Sequence, residues 1–374
     1  MLPVVWLLGT SGVGKSTTGY RMLSELHTAG VKAAFVDADQ LRLASGIAAV
    51  ETELIASALP ALSRGYQTHG AQVLIVAGLA ADLDHLSRLL PGVPSDRLLT
   101  VHLDADGDTI RERVHRRGWL VDLADDAVVY ATQIDSDLAD LHVDTTGRTP
   151  SDLAAQVAEA ALAHVERTVS EGSDVLAADD EASLPRRVVV LTGPGGVGVS
   201  TTGYQTFAHL AHAGEPVGYL DAHQLGLLGT DTRGDEFASL RADNARAVAS
   251  SLAGGGAETV VMSGDAQTTH LLAGAWGKRT VITRFWLHAT KHALAERITA
   301  RSRGGGPPIQ GDHRLGLNGP ALEAAIATAV DESEQYEIRP AHTEAIDTTH
   351  LTPAQAAERI ATSLPGASRR SEVG

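Results

Sequence analysis

Residues 9–17 read GTSGVGKST, and residues 193–201 read GPGGVGVST. The first stretch sets Gly9 and Gly14 with four residues between them, then Lys15 and Ser16. Glycines at such positions let backbone N–H groups turn inward around phosphate oxygens, where a side chain would block the approach. Lys15 would reach the β- and γ-phosphates of a nucleotide, and Ser16 would ligate magnesium at the positive end of the following helix. Gly9, Thr10, Ser11, Gly12, Val13, Gly14, Lys15, Ser16 and Thr17 are therefore the candidate binding residues for ATP and Mg2+. The plain alternative is a glycine-rich turn. An apolar strand directly before the stretch and a helical pattern directly after it favour the cradle.

Further chemistry lies downstream, in VDADQLR. An acid at the C-terminal end of a parallel strand stands on the ligand side of the sheet. Asp39 would orient an acceptor hydroxyl or take its proton, Arg42 would bind an anionic group on that acceptor, and Asp37 would hold magnesium through water. The plain alternative is a pair of helix-capping acids with a surface arginine. A basic stretch, DTIRERVHRRG, supplies Arg113 and Arg117 four apart on one helix face, where guanidinium groups would neutralise a transferring phosphoryl group.

These residues need a frame, and the sequence writes one twice. Gly9 and Gly193, Ser16 and Ser200, Tyr20 and Tyr204, and Asp37 and Asp221 are each 184 positions apart. The offset becomes 203 at VDTTGRTP and IDTTHLTP, so the second copy is longer by 19 residues before its last strand. Each copy alternates buried strands (PVVWLL, AQVLIVAG, RLLTVHLD) with helices, the pattern of a parallel sheet covered on both faces. Thr149-Pro150 and Thr352-Pro353 mark the start of the last helix in each copy. The expected organisation is α/β, with two tandem phosphate-loop domains at 1–165 and 188–365. An acidic linker at 166–187 carries over a short helix, and a flexible tail covers 366–374.

The second copy departs from the first at its chemical positions. Val199 stands in place of Lys15, His223 in place of Asp39 and Gly226 in place of Arg42, which points to a domain that no longer transfers phosphate. Its polar helix SLRADNARAV, with Arg241 and Asn244 one turn apart, reads as an ordinary solvent-facing helix or as a retained ligand site. RSRGGGPPIQGDHRLGLNG reads as a flexible replacement of the lid. His288 and His292 are four apart but have no evident third metal ligand, so they read as surface histidines.

Both halves resemble the nucleoside-monophosphate-kinase-like group of P-loop kinases, which includes adenylylsulfate, shikimate and gluconate kinases, chloramphenicol phosphotransferase and the kinase half of phage polynucleotide kinase. The phosphate loop, the acid ending the second strand and the arginine-rich helix carry this resemblance over nearly all of both halves. It implies an ATP-dependent transfer of the γ-phosphoryl group and places Asp144, in VDTT, where such kinases contact adenine. The spacing of Asp39 and Arg42 is similar to adenylylsulfate and polynucleotide kinases, which implies an acceptor hydroxyl close to a phosphate.

Composition narrows the classes further. With 374 residues, 43% apolar and 20% charged, the chain is expected to be a globular protein of two domains, and no run is long enough to span a bilayer. It contains no cysteine, which removes disulfides and thiol chemistry, and a net charge of −16 disfavours long nucleic acid as a partner. The N-terminus lacks the features of a signal peptide, so a cytoplasmic location is expected, with a small-molecule acceptor and the two halves packed together. The alternatives are a regulatory NTPase with a pseudo-kinase half and an RNA-end or tRNA kinase.

Overall fold

The computed structural model describes residues 1–118, 121–169, 183–230, 235–307, 309–334 and 342–365. Most of the expected linker and the whole of the expected tail lie outside these residues. The first half runs β1 (Val4–Leu8), α1 (Lys15–Thr28), β2 (Ala33–Asp37), β3 (Ala44–Ser45), α2 (Glu51–Thr68), β4 (Val73–Ala77), α3 (Leu83–Leu89), β5 (Leu98–Asp104), α4 (Gly107–Arg117), α5 (Ala124–Ala131), β6 (Leu141–Asp144) and α6 (Pro150–Val169). The second runs β7 (Arg187–Thr192), α7 (Val199–His212), β8 (Val217–Asp221), β9 (Leu227–Leu228), α8 (Asp235–Gly254), β10 (Thr259–Ser263), α9 (Ala266–Leu271), β11 (Val281–His288), α10 (Lys291–Ser302), α11 (Gly319–Glu334), β12 (Thr343–Asp347) and α12 (Pro353–Ser363).

The apolar runs become central strands because helices cover both faces of the sheet; every residue of β1, β4 and β10 is buried, as is all of β7 after Arg187. The helix starts read from sequence are present. Thr149 accepts from the Asp152 N–H at 3.2 Å, and Thr352 and Gln355 form a reciprocal capping box. The strand orders are β6-β5-β1-β4-β2-β9 and β12-β11-β7-β10-β8-β3. In each sheet five strands are parallel, and β1 or β7 sits where the order reverses, so its phosphate loop opens at the crevice that α/β sheets use for ligands.

The sixth strand of each sheet is antiparallel and comes from the other half. Ala44 pairs with Gly218 and Ser45 with Val217, while Ala34 pairs with Leu228 and Phe35 with Leu227. The two exchanges are equivalent under the 184-residue offset, the mark of a two-fold-like interface. Leu227 is buried in the core of the first half, contributing about 1.5–3 kcal/mol, and Leu43 packs against that of the second. These two-residue arms were invisible to periodicity, which needs longer runs.

Between the sheets, α2 lies on α8. A single apolar cluster there includes Leu54, Ala58, Leu62, Leu240, Val248 and Leu252. Ser57 and Ser251 hydrogen bond across it, and Ser251 also donates to the Leu54 carbonyl at 2.9 Å. The expectation of a solvent-facing helix at SLRADNARAV is corrected here. Asn244 is fully buried, donating to the Leu225 carbonyl at 2.6 Å, and that carbonyl also accepts from the Tyr66 hydroxyl at 2.8 Å. Gly65 permits the approach, since a Cβ there would lie 2.3 Å from Asn244 Oδ1.

Among the described residues, no helix is long and apolar enough to cross a membrane.

Candidate active site

The first phosphate loop is shaped by glycines at positive φ: Gly9 (138°), Gly12 (90°) and Gly14 (100°). A Cβ on Gly9 would lie 2.2 Å from the Leu103 carbonyl oxygen, so the loop can follow β1 only as glycine. Val13 is buried and Thr10 donates its hydroxyl to the Ala127 carbonyl at 2.8 Å, which pins the loop from beneath. Ser11 is exposed, while Ser16 and Thr17 are half-buried at the start of α1.

Lys15 folds back over the loop and donates to the carbonyls of Gly9 at 2.7 Å and Thr10 at 2.9 Å. Burial lowers its pKa against the opposing charges of Asp39 and Asp37. A lysine whose partners among the described residues are backbone carbonyls is a cation that can turn to a phosphate without breaking an ion pair. Ser16 donates to Asp37 Oδ2 at 2.5 Å, which brings together the two expected metal-binding groups. Burial holds the Asp37 carboxyl above the usual carboxylate range, and the charge of Asp39 adds to this. A cation beside Asp37 would relieve that cost, so the donor set fits a divalent ion.

Asp37 caps the short turn that follows β2 by accepting from the Asp39 N–H at 3.0 Å, and this projects Asp39 over the crevice with its side chain 60% exposed. Arg42 grips Asp39 Oδ1 from both Nε and Nη2 at 2.8 Å, and its Nη1 pairs with Glu51 at the start of α2. Arg42 is thus already engaged by two carboxylates and orients Asp39, a placement different from the free anion clamp expected from the D-x-x-R spacing. Glu51 was not singled out in the sequence; in the first turn of α2 its charge also suits the helix dipole. Thr52 beside it hydrogen bonds His85 Nε2 at 3.2 Å and ties α2 to α3.

The two arginines of α4 separate. Arg113 turns inward under the loop and donates to the Thr145 hydroxyl and carbonyl, each at 2.8 Å, with longer contacts to the carbonyls of Gly12 and Val13. It braces the back of the loop, a contact that the spacing of α4 did not announce. Arg117 is exposed on the outer side and meets Ser11 Oγ at 3.3 Å, over the mouth of the loop. Asp144 ends β6, exposed, and accepts from the Thr146 N–H at 2.8 Å; that bond holds its pKa below the ordinary carboxylate value.

The second half repeats the brace but not the open site. Arg297 donates to the Thr348 carbonyl at 2.6 Å and hydroxyl at 3.0 Å, matching Arg113. Val199 opens α7 where Lys15 opens α1. His223 lies between Asp221 at 3.3 Å and Asp265 at 3.7 Å, and Arg241 pairs with Asp265 at 3.2 Å. Burial acts to lower the pKa of His223, but the bond and charge of Asp221 outweigh it and raise it overall, with Asp265 adding to the effect. The segment expected as a flexible lid is fastened by Asp312, which is 7% exposed and takes both Arg301 and Arg314. His292 pairs with Glu296 on the surface at 3.3 Å, and no group of three His, Asp or Glu among the described residues is arranged to hold a metal.

The fold and site define an α/β protein with two phosphate loops, one complete and one without its lysine. No family model and no curated protein matches the chain. Among solved structures it is similar to a sugar kinase from Janibacter sp. HTCC2649 (18% identity, 46% of this chain and 100% of that one, TM-score 0.30). It is also similar to a shikimate kinase from Aquifex aeolicus (18%, 45% and 99%, 0.27) and a gluconokinase from Sinorhizobium meliloti 1021 (18%, 45% and 95%, 0.30).

Proposed function

We propose that the chain is an ATP-dependent phosphotransferase whose first half moves the γ-phosphoryl group to a hydroxyl or phosphate of a small anionic metabolite or nucleotide. The observation that carries this reading is Asp39. It is an exposed carboxylate just past the end of β2, held by Arg42 three residues further on, in the half that carries the complete phosphate loop, and a nucleotide switch has no use for it. The first unit, 1–165, does the chemistry, and the second, 188–365, is a degenerate copy of it from a tandem duplication.

Lys15 leaves its loop carbonyls for the β- and γ-phosphates, and the loop N–H groups hold the same oxygens. Ser16 and Asp37 hold magnesium, which when bound neutralises charge on the phosphates. Asp39 accepts the hydroxyl proton as the acceptor oxygen bonds to the γ-phosphorus and the bond from that phosphorus to the β,γ-bridging oxygen breaks, releasing ADP; Arg117 faces the charge on the transferring group, and Asp144 lies beside the adenine. Little covalent chemistry is asked of the protein; position and charge do most of it.

Incubating the full chain with γ-labelled ATP and pools of nucleosides, nucleotides, sugars and hydroxylated antibiotics tests the reading. Label transferred to an acceptor is the expected result. Release of inorganic phosphate alone, unchanged by any pool, would favour the regulatory NTPase, and label on RNA ends would favour the RNA kinase.

A further inference from the structure

The 19 residues by which the second half is longer fall between α10 and β12, where the structure places the loop fastened by Asp312 and the sixteen-residue α11. In the first half the corresponding helix, α5, has eight residues and touches its phosphate loop through the Ala127 carbonyl, beneath the cradle. In the second half α11 sends a carboxylate to the loop itself: the Gly195 N–H donates to Glu332 Oε2 at 3.0 Å. Gly195 is the counterpart of Ser11, the residue that Arg117 meets at the mouth of the first loop.

Two cations complete the closure. Arg314 lies across Gly195, its Nη2 only 2.8 Å from where a Cβ would stand, and Asp312 holds it there at 3.1 Å. Arg301, the counterpart of Arg117, is drawn onto the same Asp312 and onto the carbonyls of Gly305 and Pro307. A donor that would meet a phosphate oxygen therefore meets Glu332, and the arginine that would meet the outer phosphate meets Asp312.

We infer that the second phosphate loop is an anion site occupied in cis by Glu332, so that the chain takes a nucleoside triphosphate at the first loop only. The second clause rests on the function proposed above; the occupation by Glu332 does not. A tethered carboxylate competes at a high effective concentration and repels polyphosphate, while Val199 gives an incoming ligand no compensating charge.

Amide hydrogen exchange on the full chain, resolved at Gly195, tests this in the wild type, Lys15→Ala, Glu332→Ala and Glu332→Gln. Each is measured alone, with saturating Mg-ATP and with inorganic pyrophosphate. Exchange at Gly195 is expected to rise about tenfold in Glu332→Ala and by less in Glu332→Gln, whose amide oxygen still accepts but carries no charge. Mg-ATP is expected to slow exchange in residues 9–17 of the wild type and to leave residues 193–201 unchanged in the wild type and in Lys15→Ala. Slowing of 193–201 by either probe while Glu332 is present, or unchanged Gly195 exchange in both Glu332 variants, overturns the inference. If residues 9–17 ignore Mg-ATP, the proposed function fails, and the Gly195 comparison still decides whether Glu332 occupies the second loop.

Discussion

The two phosphate loops share their backbone and differ in what their polar groups have left to do. In the first, Lys15 rests on carbonyls of its own loop and Arg117 on a serine hydroxyl, contacts that a phosphate can replace at little cost. In the second, a loop N–H and the matching arginine are held by carboxylates of the same chain, Glu332 and Asp312. What both keep is the scaffold: the glycine turns, and the braces Arg113 and Arg297 on Thr145 and Thr348. The two loops can thus share a shape while their polar groups are differently engaged, because the shape is braced from beneath by Arg113 in one and Arg297 in the other.

The sharpest way to break this contrast is at the lysine. Lys15→Ala is expected to lower ATP-dependent transfer about a thousandfold, whereas Val199→Lys is expected to add none, since Glu332, His223 and Gly226 still stand in the second site. Steady-state rates on an acceptor found in the screen measure both. Full activity in Lys15→Ala would remove the assignment of the site. The next effect is at the base. Asp39→Asn is expected to cost about a hundred- to a thousandfold in kcat while leaving Mg-ATP affinity nearly unchanged, because Asp39 faces the acceptor. Calorimetric titration beside the kinetics separates the two, and an equal loss in both would mean that Asp39 serves the nucleotide.

The arginines sharpen the comparison from the structural side. Arg113→Ala and Arg297→Ala are expected to destabilise by similar amounts, about 1.5–3 kcal/mol each, because each removes charge-assisted bonds to one threonine and its carbonyl. Arg117→Ala is expected to slow transfer with little change in stability, and Arg301→Ala the reverse. Thermal melts and rates on the four variants give the pattern. If Arg113→Ala cost only activity, its place beneath the loop would be misread.

Much of this was legible in the sequence for physical reasons. A loop whose glycines must take positive φ, buried strands of five apolar residues, and threonine caps leave marks that need no partner to be read. The 184-residue offset aligned Arg113 with Arg297 and Arg117 with Arg301, but spacing put each pair on a common face and could not say which member turned inward; the position of the Thr145 and Thr348 carbonyls decides that. Arg241 and Asn244 looked solvent-facing because their acceptors, Asp265 and the Leu225 carbonyl, lie distant in sequence. The arms at 44–45 and 227–228 were hidden because a two-residue strand is set by the edge that receives it. Glu332 was hidden in a helix whose register against the loop depends on the whole insertion.

The smallest effect expected separates the halves by pH. Among the described residues the buried histidines, His102 on β5 and His164 on α6, both belong to the first half, and Trp286 takes the place of His102 in the second. The Nε2 of each histidine is buried with no hydrogen-bond partner among the described residues. Burial holds both below the ordinary histidine value of 6.5. The unfolded chain therefore binds more protons than the folded chain between the lowered values and 6.5, so stability is complete above 6.5 and declines as pH falls through it. Each histidine can contribute at most about 1.4 kcal/mol per pH unit over that window. Urea midpoints at pH 7 and pH 5 should fall further apart in the wild type than in a His102→Phe, His164→Leu double variant. Equal separation in the two chains would mean that the acid sensitivity of the fold lies elsewhere. Since β5, which holds His102, pairs with β1, the strand that leads into the first phosphate loop, acid is expected to loosen that loop before the second.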